Sequence, residues 1–114
     1  MKRGEVWRIN LDPTIGAEIE KTRRCVIVNS NRIGKLPLRV IVPFTEWHDM
    51  YSNADWHIPI VMSPTNGLTK KSSADTFQVR SLSKKRFVEK VGVLAQDDME
   101  RIGEGLKIVL LLDR

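Results

Sequence analysis

The chain has 114 residues, of which 41% are hydrophobic and 29% charged, with a net charge of +5. This length predicts a single domain over residues 1–114, and the composition excludes an intrinsically disordered chain. The longest apolar runs, residues 25–28 and 108–112, fall far short of the roughly 20 residues that cross a bilayer. Without an apolar signal segment, we expect a cytoplasmic protein that has no membrane partner. The positive charge favours nucleic acid as a partner, although an acidic protein would be attracted by the same field.

Apolar runs and alternating patterns predict six strands in chain order. They cover residues 4–11, 24–30, 38–45, 57–62, 74–80 and 88–94. Pro59 indicates that the fourth strand lies at a sheet edge. Polar segments predict a loop at 12–22, a second loop at 63–73 with the hairpin signal Asn66-Gly67, and a short helical turn at 81–86.

The last predicted element is a helix that begins near Asp97. Asp97 and Glu100 have the spacing of a capping box, and apolar residues then recur at helical intervals up to Leu110. Gly103 and Gly105 lower its intrinsic helix propensity, so we expect packing to hold it in place. Short strands followed by one helix predict a mainly β fold with a C-terminal helix, in which the sheet forms a small antiparallel partial barrel.

The single cysteine, Cys25, lies within a β-branched run. This position predicts a buried structural thiol and not a nucleophile. Cysteine and histidine are too few and too scattered for structural zinc, so we expect neither a metal nor a cofactor.

Basic residues follow the long loop at 12–22. Lys21, Arg23 and Arg24 stand where this loop enters the second predicted strand. A guanidinium can donate two parallel hydrogen bonds to a phosphate, and long loops often carry function. Composition alone favours the alternative, a solvated basic strand end.

Two further segments place polar side chains near strand ends. Thr45 ends the third strand, where its hydroxyl can donate to a phosphate oxygen. Gln78 and Arg80 are expected to share one face of the fifth strand by alternation, where they can contact phosphates or base edges. An ordinary strand-end threonine and an Arg80–carboxylate pair are the alternatives.

Aromatic and histidine residues cluster between residues 46 and 57. Exposed Trp47 and Trp56 would stack on unpaired bases, while core packing is the competing interpretation. His48 and His57 titrate in the neutral range, but their spacing gives no geometric support for an acid–base pair.

Several motifs together resemble the MazF/PemK/Kid family of toxins along nearly the whole chain. The N-terminal motif runs from Arg3-Gly4-Glu5-Val6-Trp7 through Leu11-Asp12-Pro13-Thr14 to Gly16, Glu18 and Thr22-Arg23. Three later segments also match: Pro43-Phe44-Thr45, Gln78-Val79-Arg80-Ser81-Leu82 and Gly92-Val93-Leu94.

This resemblance implies a small SH3-like partial barrel of the MazF/CcdB toxin type, usually as a homodimer. It implies a sequence-specific endoribonuclease of a type II toxin–antitoxin system that cuts single-stranded RNA without metal or ribosome. An acidic antitoxin (MazE/PemI-like) is the implied protein partner. By motif position, Arg23 and Thr45 correspond to the family's catalytic pair, and Glu18, Gln78 and Arg80 fall at or beside RNA-contacting positions. Lys21 and Arg24 join these as expected RNA-binding residues.

The implied reaction is attack of an RNA 2′-hydroxyl on the adjacent phosphorus, which leaves a 2′,3′-cyclic phosphate and a 5′-hydroxyl. Arginine is a poor base because its pKa exceeds ~12, so we expect Arg23 to stabilise charge, with Glu18 as a candidate base. The chain departs from the family pattern at Arg24, where a proline is usual, and at Phe77 and Ala17, where one branch has aspartate and histidine. The alternatives are a gyrase-poisoning toxin of the same fold, a non-catalytic RNA-binding barrel and an inactive relative.

Overall fold

Seven strands, four 3-10 turns and one helix form the described part of the computed structural model, residues 1–112. The strands are β1 (Glu5–Asn10), β2 (Thr22–Ile27), β3 (Leu38–Glu46), β4 (His57–Ile60), β5 (Ser72–Asp75), β6 (Arg80–Ser83) and β7 (Phe87–Val93). The 3-10 turns cover Asn31–Ile33, Asp49–Asn53, Thr76–Gln78 and Lys84–Arg86, and the helix α1 covers Gln96–Leu110. The predicted β-rich fold with a C-terminal helix is confirmed.

All strand pairs are antiparallel, and the strands follow the order β4-β5-β3-β2-β1-β7. The long strand β3 organises the sheet. It pairs with β2, with β6 through Val40 and Ser81, and further along with β5 through Thr45 and Ser73. Strand β4 lies at one end of this order, so the edge position predicted from Pro59 is confirmed. No helix among residues 1–112 is long and apolar enough to span a membrane.

Both faces of the sheet bury apolar side chains, because residues of opposite parity point to opposite sides of a strand. One core includes Val26 and Val42 and packs against α1 through Met99 and Ile102. The second core, on the other face, contains Ile9, Leu11, Cys25, Ile27, Ile41 and Leu82. The strand residues next to either core are therefore held on rigid backbone.

The strand predicted over residues 74–80 is interrupted. A 3-10 turn at Thr76–Gln78 separates β5 from β6, and the Asp75 carboxylate caps it by accepting a hydrogen bond from the Phe77 N–H at 3.2 Å. The expectation that Gln78 and Arg80 share one strand face is therefore wrong, since Gln78 lies in the turn and β6 begins at Arg80. Strand β6 also occupies the first half of the helical turn predicted at 81–86.

Helix α1 begins one residue earlier than predicted, and its N-cap is Ala95, which offers no capping side chain. The expected capping box with Asp97 is thus wrong. Asp97 and Asp98 lie in the first turn instead, where their charges favour the positive end of the helix dipole. Gly105 faces the sheet so closely that an added Cβ would lie 3.0 Å from side-chain atoms of Ile58 and Thr76. The glycine that weakens the helix also permits this close approach.

The Asn66-Gly67 segment forms a packed loop instead of the predicted hairpin. The buried Asn66 side chain accepts hydrogen bonds from the N–H groups of Ser63 (3.1 Å) and Leu68 (3.0 Å), and donates to the Val61 carbonyl (3.0 Å). This loop rests on β7 with almost no space between the backbones. A Cβ added to Gly92 would lie 2.5 Å from the backbone of Asn66.

Candidate active site

The loop between β1 and β2 is closed at its base by two hydrogen bonds of the Lys21 backbone. The Lys21 N–H donates to the Asp12 carboxylate at 2.9 Å, and the Lys21 carbonyl accepts from the Leu11 N–H at 3.0 Å. Lys21 has a left-handed φ of 69°, which lets the chain turn directly into β2. Its exposed side chain lines neither of the two cavities described below.

Two hydrogen bonds from the Gln78 side chain connect the middle of this loop to the turn between β5 and β6. Its Oε1 accepts from the Ile19 N–H at 2.7 Å, and its Nε2 donates to the Ala17 carbonyl at 3.2 Å. Both ends of the Gln78 amide therefore bind backbone of a segment about 60 residues earlier in the chain. A role in positioning the loop is thereby added to the predicted role in RNA contact.

Arg23 and Thr45 meet at one end of β2 and β3. Cys25 pairs with Pro43, and continuing this antiparallel register sets Arg23 opposite Thr45 on the face of the second core. Both residues line a cleft of about 390 Å³. Arg23 Nε donates to the Glu20 carbonyl at 3.2 Å, and the Thr45 hydroxyl donates to the Glu46 carbonyl at 3.0 Å. The two residues predicted as a catalytic pair are thus brought together.

Three more cations line the same cleft: Arg8, Arg24 and Lys70. Lys70 Nζ lies 2.8 Å from Glu46. Arg8 Nε lies 2.9 Å from a Glu89 carboxylate oxygen, although its N–H is not aimed at that oxygen. The cleft therefore contains more positive than negative side chains.

Arg8 and Arg24 are direct cross-strand neighbours on β1 and β2. Like charges in such positions repel each other, so an anion between them would stabilise both. Arg24 Nε is buried and has no hydrogen-bond partner within residues 1–112. Neither Arg23 nor Arg24 forms an ion pair within the same range. Arg24 therefore offers a guanidinium without a partner in the described chain, a group that suits the recognition of phosphate or carboxylate.

Cys25 lies on the same side of the sheet as Arg23 and Arg80. Burial raises the pKa of the Cys25 thiol well above its ordinary range, while the positive charges of Arg80 and Arg23 act in the opposite direction. Arg23 shares the face of Cys25 by alternation on β2, and Arg80 pairs with Ile41 of the same core, so both arginines lie on the side of the second core. The expectation that Cys25 is buried is confirmed.

A second cavity of about 410 Å³ collects the remaining predicted residues. It is lined by Ala17, Glu18, Phe77, Gln78, Val79 and Arg80. Glu18 Oε1 accepts a hydrogen bond from the Ile15 N–H at 2.6 Å within the loop. The structure therefore brings Glu18, Gln78 and Arg80 together, but Glu18 lines this cavity and not the cleft of Arg23 and Thr45, which argues against it as the base.

His48 and His57 contact the same tyrosine from different directions. The His57 ring stacks on Tyr51 with centroids 3.7 Å apart, and its Nδ1 lies 2.8 Å from the Ser73 hydroxyl. His48 packs against Tyr51 edge-on, with centroids 5.4 Å apart. Neither histidine lines the cleft of Arg23 and Thr45. Among residues 1–112, no group of three or more His, Cys, Asp and Glu side chains is placed to hold a metal ion.

Arg8 lines the cleft although no sequence motif marks it as a site residue. Arg8 is a charged residue in the alternating pattern of β1. A charge at such a position is typical of an ordinary solvent-facing residue and does not indicate a site. Its place beside Arg24 depends on the pairing register of two strands, which the local pattern does not contain.

Comparison with known proteins places this architecture in a family. Residues 2–110 match the family described as PemK-like, MazF-like toxin of type II toxin–antitoxin system. The endoribonuclease MazF9 of Mycobacterium tuberculosis is 29% identical over 119 aligned residues, which cover 96% of both chains. The endoribonuclease PemK of Escherichia coli is 33% identical over 92 residues, covering 76% of this chain and 68% of its own.

Solved structures agree on the fold. MazF from Deinococcus radiodurans superposes with a TM-score of 0.80 at 18% identity, covering 98% of this chain and 97% of its own. A mycobacterial endoribonuclease in complex with its cognate antitoxin gives a TM-score of 0.76 at 20% identity, covering 100% and 98%. On the evidence of the sequence match over nearly its whole length, the chain belongs to the family of PemK-like, MazF-like toxins of type II toxin–antitoxin systems.

Proposed function

We propose that this chain is the endoribonuclease toxin of a type II toxin–antitoxin system, acting in the cytoplasm on single-stranded RNA at specific sequences, without metal or ribosome. Family membership and the two relatives named as endoribonucleases support the activity. The net charge of +5 supports a polyanionic substrate.

The cleft that joins Arg23 and Thr45 carries this proposal. It combines a guanidinium and a hydroxyl at the ends of adjacent strands, and Arg24 adds a second guanidinium without a carboxylate partner in the described chain. Fixed donors of this kind stabilise the charge that develops on the non-bridging oxygens of a phosphodiester under attack. Because both donors stand on strands next to the second core, they are positioned before substrate arrives.

The proposed reaction is an internal transesterification. The RNA 2′-hydroxyl loses its proton to the solvent as its oxygen bonds to phosphorus. The bond from phosphorus to the 5′-oxygen breaks, and that oxygen takes up a proton from the solvent. The products are a 2′,3′-cyclic phosphate and a 5′-hydroxyl. The nucleophile belongs to the substrate, so the enzyme's task is to hold an in-line geometry and neutralise charge, which we assign to Arg23 with Thr45.

The other proposed RNA contacts divide between the two cavities and the loop. Arg24 lines the same cleft as Arg23, and Glu18 and Arg80 line the second cavity. Lys21 is exposed at the base of the loop, where it adds to the positive field. Gln78 contributes mainly by fixing the loop that carries Glu18.

Two protein partners complete the proposal. A cognate antitoxin is present in the complex of the mycobacterial endoribonuclease and in the MazE–MazF structures of D. radiodurans. An acidic antitoxin suits the cationic cleft of this chain, where it would compete with RNA. For the proposed homodimer, exposed apolar side chains at the end of α1 offer a surface, among them Ile108, Leu111 and Leu112.

Purified protein incubated with single-stranded RNA in excess EDTA tests the activity. We expect cleavage at a short recurring sequence, with 5′ ends that a polynucleotide kinase labels without prior phosphatase treatment. Arg23→Ala is expected to cut at least 100-fold more slowly, by analogy with the loss of one oxyanion-stabilising donor. Thr45→Val, which keeps the shape of the side chain, is expected to have a smaller effect.

Arg32→Ala is the matched control, because Arg32 is an exposed arginine in the first 3-10 turn and does not line the cleft. Full cleavage activity of Arg23→Ala would contradict the assignment of Arg23 to the active site. RNA that is bound but left intact would indicate a non-catalytic RNA-binding protein. Inhibition of DNA gyrase by a chain that leaves RNA intact would indicate a gyrase poison of the same fold.

A further inference from the structure

Two aromatic side chains form a rigid exposed pair beside the second cavity. Trp56 precedes β4, and Phe77 lies in the middle of the 3-10 turn Thr76–Gln78. Their ring centroids are 5.8 Å apart with an interplanar angle of 66°. Phe77 is 63% exposed and Trp56 37% exposed. A large apolar surface left open to water in this way is typical of a binding site.

The backbone beneath this pair is firmly held. The N–H and the hydroxyl of Thr76 both donate to the Trp56 carbonyl, at 3.1 and 2.7 Å. The Phe77 N–H donates to the Asp75 carboxylate, and Thr76 packs against the close-approaching Gly105 of α1. Neither aromatic ring therefore stands on a mobile loop tip, and little ordering is needed when a ligand binds.

The polar groups next to Phe77 indicate which chemical groups a ligand of this cavity would carry. Phe77 shares its cavity with Glu18 and Arg80. A carboxylate accepts hydrogen bonds from exocyclic amino groups such as N4 of cytosine, and a guanidinium binds phosphate. Arg80 forms no ion pair within the described chain, so its charge is available to an anion. An aromatic face, an acceptor and a cation in one cavity match an unpaired nucleotide.

The position of the cavity relates it to the cleft. Arg80 pairs with Ile41 across β6 and β3, and Arg23 shares the face of Cys25 on β2 by alternation. Ile41 and Cys25 both belong to the second core, so the two arginines lie on the same side of the sheet. A strand bound at Arg23 would therefore find the second cavity, with Phe77, on the side of the sheet that it already occupies. A duplex would hide the faces of its bases, which requires a single strand.

We propose that Phe77 and Trp56 form a base-stacking subsite for an unpaired nucleotide that flanks the cleaved bond, with Glu18 selecting bases that carry an amino group and Arg80 binding the adjacent phosphate. This inference rests on the proposed nuclease function and adds a specificity determinant to it. An acidic peptide fits the cavity less well, because Glu18 would repel it. A second copy of the chain finds a more apolar surface at the end of α1.

Binding of 2′-O-methyl oligonucleotides of roughly ten nucleotides tests the subsite, since they lack the free 2′-hydroxyl that cleavage needs. Oligocytidine, oligoadenosine, oligouridine and an abasic oligomer are titrated while tryptophan fluorescence is followed. We expect quenching in the wild type and its loss in Trp56→Phe, although Trp7 and Trp47 remain. Cytidine and adenosine are expected to bind more tightly than uridine, which has no exocyclic amino group.

Phe77→Leu is expected to raise the Kd for the base-bearing oligomers about tenfold, within the range of one lost base–aromatic stack, and to leave the Kd for the abasic oligomer unchanged. Phe77→Tyr is expected to retain wild-type binding. Val88→Ala is the control, because Val88 is 53% exposed on β7 and lines neither cavity.

Several results would overturn the subsite. One is an equal Kd for Phe77→Leu and the wild type, and another is an equal loss with the abasic oligomer. A change in oligomeric state alone, measured by sedimentation, would assign Phe77 to a contact between copies. Weaker binding of an acidic antitoxin peptide without weaker RNA binding would assign it to that partner. Cleavage of natural RNA is measured separately, so a wild type that binds but does not cut contradicts the nuclease function and not the subsite.

Discussion

Replacement of Gln78 by alanine tests whether this side chain holds the loop between β1 and β2 in place. The substitution removes the acceptor for the Ile19 N–H and the donor to the Ala17 carbonyl. Gln78 is half-buried and belongs to neither apolar core, so the fold itself is expected to survive. Exchange of the Ile19 amide then reports the loss of this contact, because the side chain that is removed is its hydrogen-bond acceptor.

The magnitude follows from the two lost hydrogen bonds. Each bond between neutral groups contributes about 1 kcal/mol net, so the closed loop loses about 2 kcal/mol. A change of this size corresponds to roughly a 30-fold larger open population. Amide hydrogen exchange at Ile19 is expected to accelerate by at least that factor, because the amide also loses its own acceptor.

Exchange measured by NMR at several pH values gives the opening equilibrium. Gln78→Glu is the informative second variant. Its carboxylate can still accept a hydrogen bond from the Ile19 N–H, but it has no N–H to donate to the Ala17 carbonyl, so two acceptor oxygens would face each other there. It is expected to exchange at an intermediate rate. Gln96→Ala is the control, since Gln96 makes only a 3.5 Å contact with Glu100 on an exposed turn. Unchanged protection of Ile19 in Gln78→Ala would refute the fastening role.

Three further predictions concern stability and reactivity. Gly92→Ala is expected to destabilise the fold by about 1–3 kcal/mol in urea unfolding, because its Cβ would lie 2.5 Å from backbone of the neighbouring loop. Gly103→Ala, which meets open space on α1, is expected to stabilise it by up to about 1 kcal/mol; an equal effect of both would contradict the packing argument. Cys25 is expected to react with an aromatic disulfide reagent only as fast as the protein unfolds, because burial raises the pKa of its thiol, and rapid reaction of the folded protein would show that it is accessible. Burial also raises the pKa of the Asp75 carboxyl. Its stabilising contribution is therefore full below the ordinary aspartate pKa and is lost as pH rises through the raised value, so Asp75→Asn should flatten this part of the dependence of Tm on pH; an unchanged profile would contradict this.

The sequence predicts best where apolar residues form long uninterrupted patterns. Strand β3 and the approximate extent of α1 follow from such patterns, and burial of Cys25 follows from its apolar neighbours. The turn between β5 and β6 could not be predicted in this way. Its capping by Asp75 and its packing beneath α1 depend on contacts that only the assembled fold provides.

The candidate site shows the same division. Arg23 and Thr45 are predicted from the resemblance to a family, because composition alone favours a surface charge and an ordinary strand-end threonine. Arg8 escaped prediction because its importance lies in its register with Arg24 across two strands. The approach of Phe77 to Trp56 joins residues about 20 positions apart through a turn that the alternating pattern did not indicate.

The 3-10 turn between β5 and β6 has a consequence for insertions and deletions. Strand β6 pairs with β3 so that Arg80 lies opposite Ile41 and Leu82 opposite Arg39. Deletion of one residue from the turn would bring Ser81 to the position of Arg80, and every β6 side chain would exchange faces. Leu82 would leave the second core in the same step. Among homologues, the residue types of this turn can therefore vary far more freely than its length.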